Sequence, residues 1–363
     1  MRSHSKSTDN HSAAPQLVHS KDMPPIQSFP PVFINNQFRT KIALPTREMY
    51  PNAKGKCAIV TGSNTGLGLE SARHLLSIGV SHLVMGVRSL EKGKAAAADL
   101  RSANPSATIE VWHLDMESYD SIQTFVGKCQ ESLPRIHIVI LNAGLMQTSF
   151  ETVAATGHER TVQVNHISTV FLAILLLPVL KAKSHAGQDP PCLTFSASVT
   201  AHLCGFPNRG ERPLLRSFDD TSITPWGADD RYGVSKLLCQ LFVVKLAEQI
   251  SPDDVIINMV DPGLTKGTGL VRDAKGAVGL AAKMFFSAAG RPVNRGAATY
   301  VDAVLGHGKE THGCFLMNCK VGPLACWYYT DGEVLTDLIW SETLKELSFA
   351  GVENMITLMR PRS

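Results

Sequence analysis

Four side chains and one glycine-rich turn carry the chemistry in this chain. Tyr232 and Lys236 stand four residues apart in Tyr232-Gly233-Val234-Ser235-Lys236, so on a helix the phenol and the ammonium share one face. A free tyrosine titrates near ~10 and relays protons poorly at neutral pH. A neighbouring cation favours the phenolate and brings the group closer to a working general acid. Ser198 follows an apolar run at 192–196, where its hydroxyl could hydrogen-bond a carbonyl oxygen and polarise it. Asn165 sits inside a long helical pattern in Val164-Asn165-His166-Ile167. Asparagine is a mediocre helix former, so its presence there calls for a kink, a buried water or a function. The turn is Thr61-Gly62-Ser63-Asn64-Thr65-Gly66-Leu67-Gly68, between the apolar run 57–60 and the amphipathic stretch 69–76. Strand, turn and helix in that order make a phosphate cradle. Glycine permits positive φ and close approach of a pyrophosphate, and the helix start offers free N–H groups. Singly, each feature has an ordinary explanation: YxxxK is frequent on surface helices, and Ser198 would pass for a turn serine.

Alternating strands and helices are needed to bring these residues together. Strands are expected at 82–87, 108–114, 136–141, 192–196 and 255–260, and helices at 89–102, 118–132, 157–183 and 230–250. A helix at 296–305, a strand at 314–317 and a helix at 330–349 follow. This βαβα order predicts an α/β fold, a single doubly wound parallel sheet of Rossmann type with helices on both faces. In such sheets ligands bind outside the carboxyl ends of the strands, and every motif falls at such an end. The domain spans residues 55–350. Residues 1–54 form an N-terminal extension, polar and disordered to about residue 25, with 29–50 an extended arm packed on the body. Residues 351–363 form a C-terminal tail.

The bulk composition agrees with a globular enzyme. The 363 residues are 44% hydrophobic and 18% charged, with a net charge of +3. That charge is too small to point to nucleic acid or an anionic membrane surface. The eight cysteines form no CxxC and no zinc-finger spacing with histidine, so reduced thiols and no metal are expected. The first fifteen residues lack the apolar core of a signal peptide. The apolar run 170–177 ends at Pro178, short of the ~20 residues that span a bilayer. A cytoplasmic protein with no membrane span is therefore expected.

Taken together, the motifs resemble those of the short-chain dehydrogenase/reductase superfamily, in its TGxxxGxG and YxxxK subtype. The resemblance rests on residues 61–68, Asn142-Ala143-Gly144, Asn165, Ser198, Tyr232 with Lys236, and Asp261-Pro262-Gly263. Within the superfamily the chain is most similar to retinol-dehydrogenase-like members and to fungal reductases of secondary-metabolite pathways. The resemblance implies that Tyr232 is the general acid/base, that Lys236 lowers its pKa and bonds the nicotinamide ribose, and that Ser198 polarises the substrate oxygen. It implies that Asn165 holds a water in a relay to Lys236. It makes Gly62, Ser63, Asn64, Gly66, Leu67, Gly68, Asp115, Asn142, Ala143, Gly144, Pro262, Gly263 and Thr265 neighbours of the cofactor. Thr268 competes with Thr265 for the carboxamide, because the usual PGxxxT has Gly267 in its last place. Arg88 follows the second strand where an acidic residue would select NAD, and a guanidinium suits a 2′-phosphate. NADP(H) is therefore the expected cofactor. The insert between Ser198 and Tyr232, with Phe206, Pro207 and Trp226, and a loop from Thr265 to Phe286 suggest a large apolar mouth for a polyketide-, terpenoid- or retinoid-like ketone or alcohol. The superfamily's habit of pairing helices points to a homodimer. A catalytically silent nucleotide sensor or scaffold would have lost Tyr, Lys or Ser, and all three are present. A retinol- or steroid-type dehydrogenase stays within the same chemistry.

Overall fold

The structure is a computed structural model that describes residues 18–184, 187–269, 283–285 and 287–361. Its centre is an eight-stranded sheet in the order β3-β2-β1-β4-β5-β6-β7-β8. The strands are β1 (Cys57–Thr61), β2 (His82–Val87), β3 (Thr108–His113), β4 (Ile138–Leu141), β5 (Cys192–Ser196), β6 (Ile256–Asp261), β7 (Phe315–Met317) and β8 (Lys320–Gly322). The first seven run parallel, and β8 turns back antiparallel on β7. Every residue of β1, β4 and β6 is buried, the mark of central parallel strands covered on both faces. The strand order reverses between β1 and β4, which opens a crevice at their carboxyl ends.

Helices cover both faces. On one side lie α2 (Gly66–Ser77), α3 (Leu90–Ala103) and α7 (Val293–Leu305), whose Leu75, Leu100 and Tyr300 join one apolar core with Val60 and Leu83. On the other lie α4 (Tyr119–Ser132), α5 (Arg160–Ala182), α6 (Ala228–Gln249), α8 (Gly332–Glu346) and α9 (Val352–Met359). There Phe125, Phe171, Leu241 and Ile339 close a second core. Helix α5 is long and apolar enough to cross a membrane, but 94% of its apolar window is buried against the other helices. Burying one such large side chain is worth roughly 1.5–3 kcal/mol, so α5 anchors the layer.

Four features depart from the sequence-based expectations. The chain from residue 18 is already docked: Ser20 is fully buried, and its hydroxyl accepts from the Phe315 amide of β7 at 2.8 Å. A single serine that satisfies a strand's free N–H overrides the polar composition around it. The arm is not extended. It forms helix α1 (Phe29–Ile34) and a π turn at Asn35–Arg39 before Ile42 and Tyr50 bury themselves. The expected tail is helix α9, and Val352, Ile356 and Met359 seal the second core. The insert after Ser198 sends part of its apolar content into the core and not to the mouth: Phe206 and Leu214 are fully buried and Phe218 nearly so. The expectation for residues 1–17 lies outside the described residues.

Candidate active site

The glycine turn joins β1 to α2. Gly62 and Gly66 have φ of +63° and +59°, a backbone that residues with a Cβ rarely adopt. A Cβ on Gly68 would lie 2.5 Å from Asn142 Nδ2 and 2.6 Å from the Gly62 oxygen, so the helix presses directly on the turn. Asn142, just past β4, donates to the Thr61 carbonyl at 2.8 Å and to that of Gly62 at 3.3 Å. The Ala143 amide donates to the Thr61 hydroxyl at 2.9 Å. Asn142 and Ala143 therefore brace the turn across the crevice. Ser63 is fully buried with a hydroxyl that has no protein partner. Asn64 and Leu67 are half-buried in the same turn.

Tyr232 and Lys236 lie on α6, one helical turn apart, with Lys236 Nζ 5.7 Å from the Tyr232 ring centroid. The ammonium donates to the Ser196 carbonyl, at the end of β5, at 2.8 Å. Gly144 sits between this lysine and Asn165: a Cβ there would lie 3.0 Å from Asn165 Oδ1 and 3.5 Å from Lys236 Nζ. Asn165 occupies a π turn, Gln163–Ser168, within α5. Its Oδ1 accepts from the Leu145 amide at 2.9 Å. Its Nδ2 donates to the Leu145 carbonyl at 2.8 Å and to Ser235 Oγ at 3.0 Å. The side chain thus ties α5 to the loop after β4 and to the helix that carries Tyr232.

Ser198 caps a 3-10 turn at Val199–His202 and accepts from the Thr200 amide at 3.2 Å and the Thr200 hydroxyl at 2.9 Å. The hydroxyl lies close enough to the Tyr232 phenol to favour its charged form. The phenol does not show the lowered pKa that the lysine was expected to impose. Burial and then the charge of Asp261 push it above the ordinary tyrosine value, against the opposing pull of Ser198. The lysine is engaged with Ser196, and burial lowers its own pKa.

Asp261 ends β6 and is buried. It accepts from the Val199 amide at 3.1 Å and from the Gly263 amide at 3.0 Å, so it joins the Ser198 turn to the Pro262-Gly263 loop. Burial raises its carboxyl to about 6, against those two amides and the Arg291 charge. Thr265 is buried, and its hydroxyl donates to the Gly263 carbonyl at 2.9 Å. Thr268 instead lies beside the glycine turn, its Cα 3.7 Å from where a Gly66 Cβ would be. Three partners escaped the sequence reading. Arg291 wraps Gly263, whose Cβ would sit 2.7 Å from its Cζ. Tyr300 pairs its hydroxyl with Ser196 Oγ at 2.5 Å. Glu117 receives Arg88 Nη1 at 2.9 Å and also pairs with Arg160. Arg88 is otherwise exposed at the end of β2, next to Asp115, whose Oδ1 accepts from the Glu117 amide at 3.0 Å. Long-range pairs of this kind leave no local pattern to read.

Behind the site, Glu159 caps α5 by accepting from the Thr161 and Val162 amides at 2.8 and 3.0 Å. It faces Arg231 at 3.4 Å, next to Tyr232 in sequence. His158, fully buried, lies 3.0 Å from Asp219 and 3.1 Å from Glu346. Burial disfavours its charged form, but the two carboxylates outweigh that and hold it up at about 9. At the mouth, Trp226 donates to the Thr148 carbonyl at 3.3 Å and meets Phe150 edge-on. Of the expected apolar loop, Met284 and Phe285 are exposed, and residues 270–282 and Phe286 lie outside the described residues.

Known proteins share both sequence and fold with this chain. The family model described as short chain dehydrogenase matches residues 56–188. The short chain dehydrogenase/reductase mfmJ of Annulohypoxylon moriforme is 48% identical over 95% of this chain and 99% of its own. The short chain dehydrogenase virL of Hypocrea virens is 43% identical over 89% of this chain and 93% of its own. Among solved structures, the carbonyl reductase Sniffer of D. melanogaster superposes with a TM-score of 0.55 at 21% identity, over 75% of this chain and 99% of its own. The L-sorbose reductase of Gluconobacter frateurii, complexed with NADPH and L-sorbose, gives 0.53 at 19% identity over 75% and 95%. With the matched sequence running almost end to end and the Ser198, Tyr232 and Lys236 side chains gathered at the carboxyl edge of the sheet, the chain belongs to the short-chain dehydrogenase/reductase family.

Proposed function

We propose that the protein is an NADPH-dependent oxidoreductase that interconverts a ketone and a secondary alcohol on a largely apolar substrate of fungal secondary metabolism, polyketide or terpenoid in kind. The observation that carries this reading is the Tyr232 phenol, one helical turn from Lys236 and beside the turn that Ser198 caps, where a Cβ on the next residue, Gly233, would lie 2.9 Å from the Thr200 carbonyl. A dinucleotide suits the neighbouring turn: Ser63 has a buried hydroxyl in need of a partner, and Gly62 and Gly66 leave the backbone approachable. Gly62, Ser63, Asn64, Gly66, Leu67 and Gly68 would hold the phosphates, Asp115 the adenine edge and Arg88 a 2′-phosphate. Pro262, Gly263 and Thr265 would border the nicotinamide, with Asn142, Ala143 and Gly144 beneath it. When bound, the nicotinamide supplies or accepts the hydride.

The chain's own residues handle the proton. Ser198 orients the substrate oxygen and polarises it. Tyr232 delivers the proton to that oxygen, or takes it in the oxidative direction. Burial keeps the phenol protonated at neutral pH, the form from which it donates. Lys236 supplies positive potential beneath the phenol and a donor to the ribose, and Asn165 fixes the spacing of α5, the loop after β4 and α6. Phe150 and Trp226 at the mouth and the exposed Phe285 support an apolar substrate. The fungal relatives, named only as short chain dehydrogenases, support the metabolic setting.

The test is NADPH oxidation at 340 nm against a panel of ketones, with Tyr232→Phe beside the wild type. The variant keeps the ring and loses the proton, so turnover should drop about 10²–10⁴-fold while NADPH binding holds. A variant that keeps most of its turnover when chemistry limits the rate refutes the assignment.

A further inference from the structure

We propose that the N-terminal arm is a working part of the dinucleotide site: Gln37, with the Asn36 carbonyl, positions the Pro262–Lys266 loop for the nicotinamide end of the cofactor. The inference rests on the proposed function, and it concerns a segment that lies ahead of the region the family model matches.

The loop after β6 takes positive φ at Gly263 and Gly267. The Thr265 hydroxyl ties it to the Gly263 carbonyl from within, and further bonds reach it from outside. The Leu264 carbonyl accepts from the Arg291 amide at 2.8 Å, and the Arg291 carbonyl accepts from the Lys266 amide at 3.0 Å. The arm supplies a second donor to the same Leu264 carbonyl, Gln37 Nε2 at 2.7 Å. Arg291 folds its guanidinium over Gly263. Its Nη2 donates to the Asn36 carbonyl of the arm and to Asn318 Oδ1, each at 2.8 Å. The arm is itself anchored: Asn36 Nδ2 contacts Met317 Sδ at 2.8 Å, Arg295 donates to the Ile42 carbonyl, and Ile42 is buried. Phe33 stacks on Phe285 beyond the loop, ring centroids 6.3 Å apart.

Two adjacent arm residues therefore grip the loop, Gln37 at its carbonyl and Asn36 through the arginine that cups its glycine. A loop already held in place costs less entropy to order when a ligand binds. The grip is assigned to the nicotinamide end because Gln37 and, through Arg291, Asn36 meet the Pro262–Lys266 loop, whereas the adenine end is assigned to Arg88 and Asp115 after β2 and β3.

The experiment titrates the full-length protein with NADPH and, separately, with 2′-AMP, which carries the adenine end alone. Gln37→Met removes the donor and keeps the length. Gln37→Glu puts an acceptor against the Leu264 carbonyl. The expected result is a loss of NADPH affinity of about 2- to 12-fold for Met, the worth of one hydrogen bond, and a larger loss for Glu. Affinity for 2′-AMP and the melting temperature of the free protein should stay at wild-type values. Unchanged NADPH affinity in both variants overturns the inference. So does an equal loss for 2′-AMP, which would mark a diffuse defect in the fold. If the wild type prefers NADH, the same comparison runs with NADH and AMP, and only the Arg88 assignment falls. A wild type that binds neither dinucleotide brings down the proposed function and this inference together.

Discussion

Replacing His158 by glutamine should flatten the dependence of stability on pH between about 6.5 and 9. His158 is fully buried between Asp219 and Glu346, and its pKa rises from 6.5 to about 9. A histidine whose pKa is raised on folding binds its proton more tightly in the native state. Its contribution is complete below the unfolded value near 6.5 and is lost as pH rises through about 9. At ~1.36 kcal/mol for each tenfold change in proton affinity, the contribution is about 3 kcal/mol. In a chain of this size that corresponds to roughly 4 °C of melting temperature. Glutamine keeps a polar side chain but cannot titrate. It should melt lower than the wild type at pH 6.5, and the gap should shrink steadily toward pH 9.5. The assay is thermal unfolding of both proteins across that range in one buffer series at constant ionic strength. Parallel curves would show that His158 is not protonated in the folded state, and the reasoning would fail. The titration has a bearing on the site because Asp219, which faces His158, also accepts from the Glu159 amide at 2.7 Å, at the cap of the helix that carries Asn165.

Further outcomes follow from the same geometry. Lys236→Met should weaken NADPH binding as well as turnover, whereas Ser198→Ala should lower turnover with little change in cofactor affinity; equal binding defects would undo that division of roles. Arg88→Asp should cut NADPH affinity by roughly 10–150-fold, the range of one charge-assisted contact, and spare NADH; an unchanged ratio of the two affinities would leave Arg88 as the surface partner of Glu117. Gly68→Ala should cost about 1–3 kcal/mol by denaturant titration, as overpacking does, because its Cβ would meet the Gly62 oxygen at 2.6 Å. Ser20→Val leaves the Phe315 amide without its acceptor and should cost about 1–3 kcal/mol in the same assay; wild-type stability would show that the arm's first contact is dispensable.

The part of the site that the sequence discloses is the part written locally. The i, i+4 spacing of Tyr232 and Lys236 and the strand-turn-helix at 57–77 are patterns within one or two elements, and the alternation of elements places them at one edge of a parallel sheet. What escapes is held together by pairs remote in sequence. Gln37 meets Leu264, Tyr300 meets Ser196, and Glu117 meets Arg88, and nothing in the flanking residues announces a partner. The effect of Lys236 on Tyr232 was expected from proximity alone. Burial of the phenol and the nearby Asp261 reverse its sign, and both depend on the tertiary fold. The last helix was expected as a tail because it lies at the chain end, although Val352, Ile356 and Met359 fall at i, i+4 and i+7, a periodicity that should have outweighed that position. Strand β8 was not legible, because three residues show no alternation to read.

The π turn at Gln163–Ser168 fixes the phase of a helix with two duties. Each residue of an α-helix advances about 100° around the axis, and a π turn absorbs one extra residue without breaking the rod. The Thr169 hydroxyl covers the Val164 carbonyl at 2.7 Å, across the widened turn. Within it, Asn165 bonds Leu145 and Ser235 at the site; downstream, the stretch from Thr169 to Leu177 is buried without a gap. Removing one residue from this turn would restore a regular helix and rotate one half against the other by about 100°. Either the amide would leave the crevice or the apolar face would leave the core. Length at this point is therefore under a tighter constraint than residue type, and a one-residue deletion here should do more harm than any single substitution beside it.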